Sequence, residues 1–196
     1  MTDTLDVQTT TTGVRAKSMA ELEQHLPDIL AAPKDDGVID MIVVRPERGQ
    51  RLTPQRIDLS LARGVEGDHW INGCHVMLDN GRPSPDVQIC LMPSRVIGAI
   101  AGGPENWAAA GDNLFVDMDL TPDNCPPGTQ LALGSVTMIV TEEPHKGCQY
   151  FIDRYGGDAC KFVNVGRGGE LKLRGIYARV TQDGSVSVGD RMRKIA

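Results

Sequence analysis

The apolar positions of this chain fall into short, closely punctuated runs rather than long periodic ones. Residues 38–45 (Val-Ile-Asp-Met-Ile-Val-Val-Arg) are compact and rich in β-branched side chains, which predicts a buried strand. Pro46-Glu47-Arg48-Gly49-Gln50 closes it with a turn. Residues 51–60 read as a second strand broken by Pro54. Residues 87–92, 114–116, 131–133, 135–141, 175–182, 186–188 and 191–195 are strand-like as well, with Asp183-Gly184 as a hairpin signal. Helical patterns are few. Residues 18–30 carry Met19, Leu22, Leu26, Ile29 and Leu30 on one side, with Ser18 and Glu21 as a capping box and Pro27 inside. Residues 94–101 follow Pro93, with Ser94 as N-cap and Gly102-Gly103 as the stop. Residues 106–110 form a turn of helix, and residues 149–155 and 158–163 two further short helices. Residues 71–86 and 166–169 read as loops. Many short strands with glycine and proline punctuation predict a mainly β, barrel-like fold.

Residues 1–17 are polar and threonine-rich and are expected to be a disordered tail; residues 18–196 are expected to form one barrel domain. Hydrophobic content is 40% but aromatic content only 4%, so aliphatic side chains and methionine must fill the core. The net charge of −6 argues against general nucleic-acid binding, which needs a basic face. No run approaches the ~20 apolar residues of a membrane span, so no membrane partner is expected. Residues 1–16 lack the apolar centre of an export signal. Five cysteines, an odd count without a Cys-x-x-Cys pair, speak against a disulfide framework or closed zinc site and fit free thiols in the cytoplasm.

The stretch that carries chemistry is Pro144-His145-Lys146-Gly147-Cys148. Pro144 ends a strand and Gly147 permits a tight turn. Cys148 then falls at the start of a short helix, near the positive end of its dipole, with His145 and Lys146 adding positive charge. All three favour thiolate, the form that attacks sulfur or binds a soft metal. The alternative is a buried, inert cysteine.

Around this stretch the chain resembles the MOSC domain, named after the C-terminal domain of molybdenum cofactor sulfurase, in its small stand-alone bacterial form. The matching pieces are Gly64-Val65-Glu66-Gly67-Asp68, Gln88-Ile89-Cys90-Leu91-Met92, Gly111-Asp112-Asn113-Leu114, Pro127-Gly128-Thr129 with Leu133-Gly134, the Cys148 stretch, and Leu173-Arg174-Gly175-Ile176 with Val188-Gly189-Asp190. They run in the family's order over residues 37–195. The resemblance implies a β-rich barrel, and a cysteine at Cys148 that carries sulfur or ligates molybdenum. Family members that are enzymes hold a pterin molybdenum cofactor and reduce N-hydroxylated compounds. Here the usual Gly-Glu-Asn-Leu is Gly-Asp-Asn-Leu, and the cysteine is reached through His-Lys-Gly rather than Pro-Arg-x-Pro. The aminotransferase-like half of the sulfurase and the N-terminal subdomain of the amidoxime-reducing type have no counterpart in the 196 residues.

A pterin molybdenum cofactor presents a phosphate, a hydrogen-bonding ring system and a soft metal, so its site needs cations, amides and a thiolate. Candidates are His145, Lys146 and Arg154 near Cys148 in sequence, and Asn113, Asn164, Arg167 and Arg174 farther off, with Cys148 as the metal ligand and Cys148 and His145 as the catalytic pair. The glycines around Arg167 suggest a loop that a phosphate can approach closely. Each arginine has surface charge as its alternative, and Asn113 has the ordering of its own turn. Asp68, His69, Cys74 and His75 are metal-ligand types without regular spacing, a zinc alternative; otherwise Asp68 orders the preceding turn. Hydrolysis by a Cys148–His145 dyad lacks an evident third member. Cys90 alternates into a strand as core, and Cys125 and Cys160 carry no signal. The expected function is therefore molybdenum cofactor binding or sulfur transfer through Cys148, the partner being a cofactor-accepting protein. The alternatives are a molybdenum-dependent reductase of a small-molecule substrate and a cofactor-free binding barrel.

Overall fold

The computed structural model describes residues 12–195. In chain order its elements are α1 (Met19–Glu23), α2 (Leu26–Leu30), β1 (Gly37–Ile42), β2 (Arg56–Ser60), β3 (Gly64–Val65), α3 (Trp70–Gly73), β4 (Ile89–Pro93), α4 (Ser94–Ala101), β5 (Leu114–Asp117), β6 (Gln130–Leu133), β7 (Val136–Val140), α5 (Gln149–Tyr155), α6 (Gly157–Asn164), α7 (Gly166–Glu170), β8 (Ile176–Gln182), β9 (Gly184–Ser187) and β10 (Arg191–Ile195). Seven strands close a barrel in the order β1-β10-β6-β7-β8-β4-β5, with β5 returning to β1. Among the described strands, only β4 and β5 run parallel. The mainly β, barrel reading is therefore correct.

Side chains alternate across each barrel strand, as the two-residue period requires. Ile89 and Leu91 of β4, Leu114 and Val116 of β5, and Ile176, Ala178 and Val180 of β8 fill the interior. The residues between them point outward. Met92 and Phe115 pack under α4, α5 and α6 with Val96, Ile100, Phe151, Tyr155 and Phe162. Cys90 and Tyr177, paired across β4 and β8, pack with Val87 beneath the 74–76 segment. β4 is buried along its whole length because both faces are covered.

Several local expectations are corrected. The helix expected over residues 18–30 is two: the capping box on Ser18 and Glu21 starts α1, and Pro27 sits in the first turn of α2, where its missing N–H does no harm. Pro93 rather than Ser94 caps α4. The Asp183-Gly184 turn does not make a hairpin. β9 leaves β8 and pairs with β2 in a separate three-stranded sheet, and Asp183 instead accepts the Leu61 N–H at 2.8 Å. Residues 166–169 are not a loop but most of α7. A Cβ on Gly168 would lie 1.7 Å from the Phe162 carbonyl oxygen and one on Gly169 2.5 Å from that of Asn164, so these glycines serve close packing of α7 on α6. Of the expected tail, residues 1–11 lie outside the described residues. Residues 12–17 run along the helical layer, where Thr12 donates to the Arg154 carbonyl at 2.7 Å and Val14 packs with the outer apolar cluster.

Candidate functional site

β1 and β7 finish, and β5 and β8 begin, at the same end of the barrel, because these neighbours are antiparallel. The segments just past those ends carry Arg45, Asp112, Asn113, His145 and Arg174. Gly175 sets the last of them: its φ is +101°, and a Cβ there would stand 2.0 Å from the Leu91 carbonyl oxygen, so only glycine turns the chain into β8 at this point. Arg174 is thereby pushed inward, 6% exposed.

Two ion pairs, one buried and one partly buried, organise this end. Arg174 Nη1 donates to both oxygens of Asp112, at 2.7 and 2.8 Å, and Asp112 is fully buried. The guanidinium also lies 4.9 Å from the centre of the Phe151 ring. Burial opposes the Arg174 charge, but Asp112 outweighs it and keeps the side chain charged. Arg45 grips Asp68 through Nε at 2.8 Å and Nη2 at 3.0 Å. Asp68 also accepts from the Trp70 N–H at 2.9 Å, so its side chain ties down the start of α3 and not the 64–67 turn expected for it. Asn113 knits the two halves together. Its Oδ1 accepts from the Cys90 N–H and Arg45, and its Nδ2 donates to Asp68 and the Val43 carbonyl. Every polar atom of Asn113 is used internally, which places it as a strut rather than a ligand contact.

The histidine is more unusual. The His145 side chain is 5% exposed, with Nε2 3.5 Å from Asp112 Oδ1 and its ring 4.4 Å from that of Tyr177. Burial, then Arg174, Arg45 and His75, hold its pKa well below the usual histidine value. The contact with Asp112 is therefore a neutral imidazole against a carboxylate, not an ion pair. A proton on Nε2 would face Asp112, and Nδ1 is buried without a partner among the described residues. The expectation that His145 lends positive charge to Cys148 is thus corrected, and no hydrogen bond joins it to that thiol.

Arg51 completes the cluster. It is 7% exposed, yet among the described residues it has no carboxylate partner; its Nη1 reaches only the neighbouring Gln50 carbonyl, and its Nε is unpartnered. Burial, with Arg154 and Arg45 nearby, lowers its pKa to about 10. Five buried side-chain polar atoms lack partners among the described residues, and three of them, on Arg51, His145 and Arg174, are at this barrel end. Arg154 stands at the rim, stacked with Arg48 around the Tyr150 ring.

Cys148 is the exposed one of the five cysteines and the N-cap of α5. One turn on, Phe151, whose N–H donates to the Cys148 carbonyl at 2.9 Å, packs against Arg174. Asn164 holds the loop in place: Oδ1 accepts the Gly147 N–H and Nδ2 donates to the Gly147 carbonyl, both at 2.9 Å. Lys146 is exposed. Arg167 is not brought to this end; it lines a separate groove of about 270 Å³ with Met19, Leu26 and Lys161. The zinc alternative finds no support, since no three ligating side chains converge among the described residues. His69 Nδ1 instead meets the Arg45 carbonyl at 2.8 Å and the Cys74 thiol that of Val76 at 3.0 Å. Cys90 is buried as expected, its thiol pKa pushed up to about 11.

Asp112, Tyr177, Arg45 and Arg51 were missed in the sequence reading. Asp112 stands beside Asn113 in the Gly-Asp-Asn-Leu piece and was available there. The arginines carry no local sign that they converge on one site.

Fold and cluster together define a closed β-barrel with a polar, arginine-rich end and an exposed thiol at its rim. The MOSC domain family model matches residues 83–193, more than half of the chain, and the chain belongs to that family. No curated protein matches its sequence. Among solved structures it is similar to the YuaD protein of Bacillus subtilis (TM-score 0.52, 15% identity, covering 80% of this chain and 93% of YuaD). It is also similar to YiiM of Escherichia coli (0.53, 19%, 81% and 70%) and of Geobacillus stearothermophilus (0.54, 19%, 82% and 75%). At these identities the likeness is one of fold.

Proposed function

We propose that this protein binds a pterin molybdenum cofactor at the arginine-rich barrel end, with Cys148 as molybdenum ligand or sulfur carrier, and passes cofactor or sulfur to an acceptor protein. The observation that carries the proposal is Arg51, a buried guanidinium with no anion among the described residues, set at the barrel end that also holds two further unpartnered polar atoms, on His145 and Arg174. Such a charge is expensive to bury and is retained where an anionic ligand arrives to balance it. The donor set fits the group. Arg51 and Arg154 suit its phosphate, the Nε–H groups of Arg51 and Arg174 and Nδ1 of His145 suit a hydrogen-bonding ring system, and Cys148 suits a soft metal. When bound, the group supplies redox chemistry at molybdenum. The protein's part is to charge-balance, orient and shield it. The exposed position of Cys148 favours transfer to a partner over a sealed reductase site.

The test is molybdenum and sulfane-sulfur content per protein, purified from a molybdenum-sufficient host, with circular dichroism alongside. Wild type is expected to approach one molybdenum or one sulfane sulfur per chain. Cys148→Ser should lose either while keeping its spectrum, because serine is nearly isosteric but cannot carry a persulfide and is a poor soft-metal ligand. Full loading of Cys148→Ser with a native spectrum would leave the cysteine without a chemical role.

A further inference from the structure

Cys148 has a second thiol beside it. Cys160 lies on α6, facing the loop that presents Cys148, and is 8% exposed. A Cβ built on Gly147 would meet Cys160 Sγ at 3.2 Å, so the sulfur rests against the backbone one peptide unit, about 3.8 Å between Cα atoms, before Cys148. Asn164 fixes the approach from both sides. It ties the Gly147 N–H and carbonyl as described, and its Nδ2 also contacts Cys160 Sγ at 3.2 Å. The Cys148 side chain makes no capping bond to α5, so its thiol is not held elsewhere. The two thiols also differ in access: Cys148 is exposed, and Cys160 is buried behind it.

From this juxtaposition we infer that Cys148 and Cys160 form a reversible peroxide-oxidised thiol pair, Cys148 the attacking sulfur and Cys160 the resolving one. The Cys148 thiolate attacks one oxygen of hydrogen peroxide; the O–O bond breaks, and with a proton water leaves, giving Cys148 sulfenic acid. Cys160 sulfur then attacks Cys148 sulfur. The S–O bond breaks, a second water leaves with the thiol proton, and a Cys148–Cys160 disulfide forms. Two thiols lose two electrons, and one peroxide becomes two waters. A dithiol restores the pair by exchange. Burial holds the Cys160 pKa above the usual thiol value, which agrees with its acting second. Oxidation thereby removes Cys148 from the site without driving it to sulfinic acid, and it requires no bound cofactor, so it stands or falls apart from the cofactor proposal.

The experiment treats full-length protein with one equivalent of hydrogen peroxide, with and without dimedone as a sulfenic-acid trap, followed by blocking of remaining thiols and non-reducing peptide mapping. Wild type is expected to lose two thiols per peroxide, to give a peptide linking Cys148 to Cys160, and to take little dimedone. Cys160→Ser should take dimedone at Cys148 close to stoichiometrically, and Cys148→Ser should give neither product. Dithiothreitol should return both thiols. The wild-type map decides the matter even if a variant folds poorly. Absence of the 148–160 peptide, or a link from Cys148 to Cys74 instead, overturns the inference, as does equal dimedone labelling of wild type and Cys160→Ser.

Discussion

The barrel interior and the segment leading into β8 are comparably buried and oppositely built. Ile89, Leu91, Ile176 and Ala178 point into an interior of aliphatic side chains. Two residues before Ile176, Arg174 is buried nearly as deeply, but against Asp112 and a neutral histidine. In the barrel, burial itself is the stabilising term, at ~25 cal/mol per Å² of apolar surface. At the barrel end, burial works against the charges, and what holds the cluster together is that most of them are paired. Arg51 is the departure from that pairing. The contrast separates a part of the molecule that serves stability from a part that, under the proposed function, gives some stability up for a ligand.

The largest effect is expected where pairing is broken. Arg174→Met leaves the Asp112 carboxylate buried without its partner and should lower unfolding free energy by about 3–5 kcal/mol in denaturant titration. Adding Asp112→Asn should recover most of that loss, since both charges are then gone. A single variant within 1 kcal/mol of wild type would show that the pair is not an energetic unit. The comparison inside the barrel is Leu131→Ala, at a fully buried position. It should cost about 2–5 kcal/mol through lost burial and a cavity, and the loss should not be recoverable by any change at the charged end.

His145 gives a smaller, pH-dependent effect. Its folded pKa lies below its unfolded value near 6.5. The unfolded chain therefore takes up a proton that the folded chain refuses, so this contribution is present above pH 6.5 and is lost as pH falls below it. One such proton is worth about 1.4 kcal/mol per pH unit. His145→Gln should flatten the stability profile between pH 6.5 and 5 by up to that slope. An unchanged profile would mean that the histidine charges freely in the folded state.

How much of this was legible in the sequence follows from where each determinant lies. The 149–155 helix and the last strand were read with the bounds they have, because Gly156 and Gly189-Asp190 mark them locally. The partner of β9 was not legible, since strand pairing is chosen by distant segments. Nor was α7: its glycines looked like loop residues, and their close approach to Phe162 and Asn164 exists only once α6 is in place. At the site, Cys148 and His145 stood out because a Pro-x-x-Gly-Cys spacing is local. His145 was still assigned the wrong charge, because the desolvation that neutralises it is tertiary. Arg45 and Arg51 were not singled out as site residues for the same reason, since only the folded chain brings them to the barrel end.

If Arg51 is buried without an anion because it awaits one, thermal unfolding with pyrophosphate will show it. Without ligand, Arg51→Met should be as stable as wild type or more so by about 1 kcal/mol, since removing an unpaired buried charge relieves its desolvation. With millimolar pyrophosphate, wild type should rise in melting temperature by a few degrees and Arg51→Met should not move. If instead Arg51→Met melts well below wild type without ligand, and both respond to pyrophosphate alike, then Arg51 is part of the fold's own pairing and the barrel end is not an anion site.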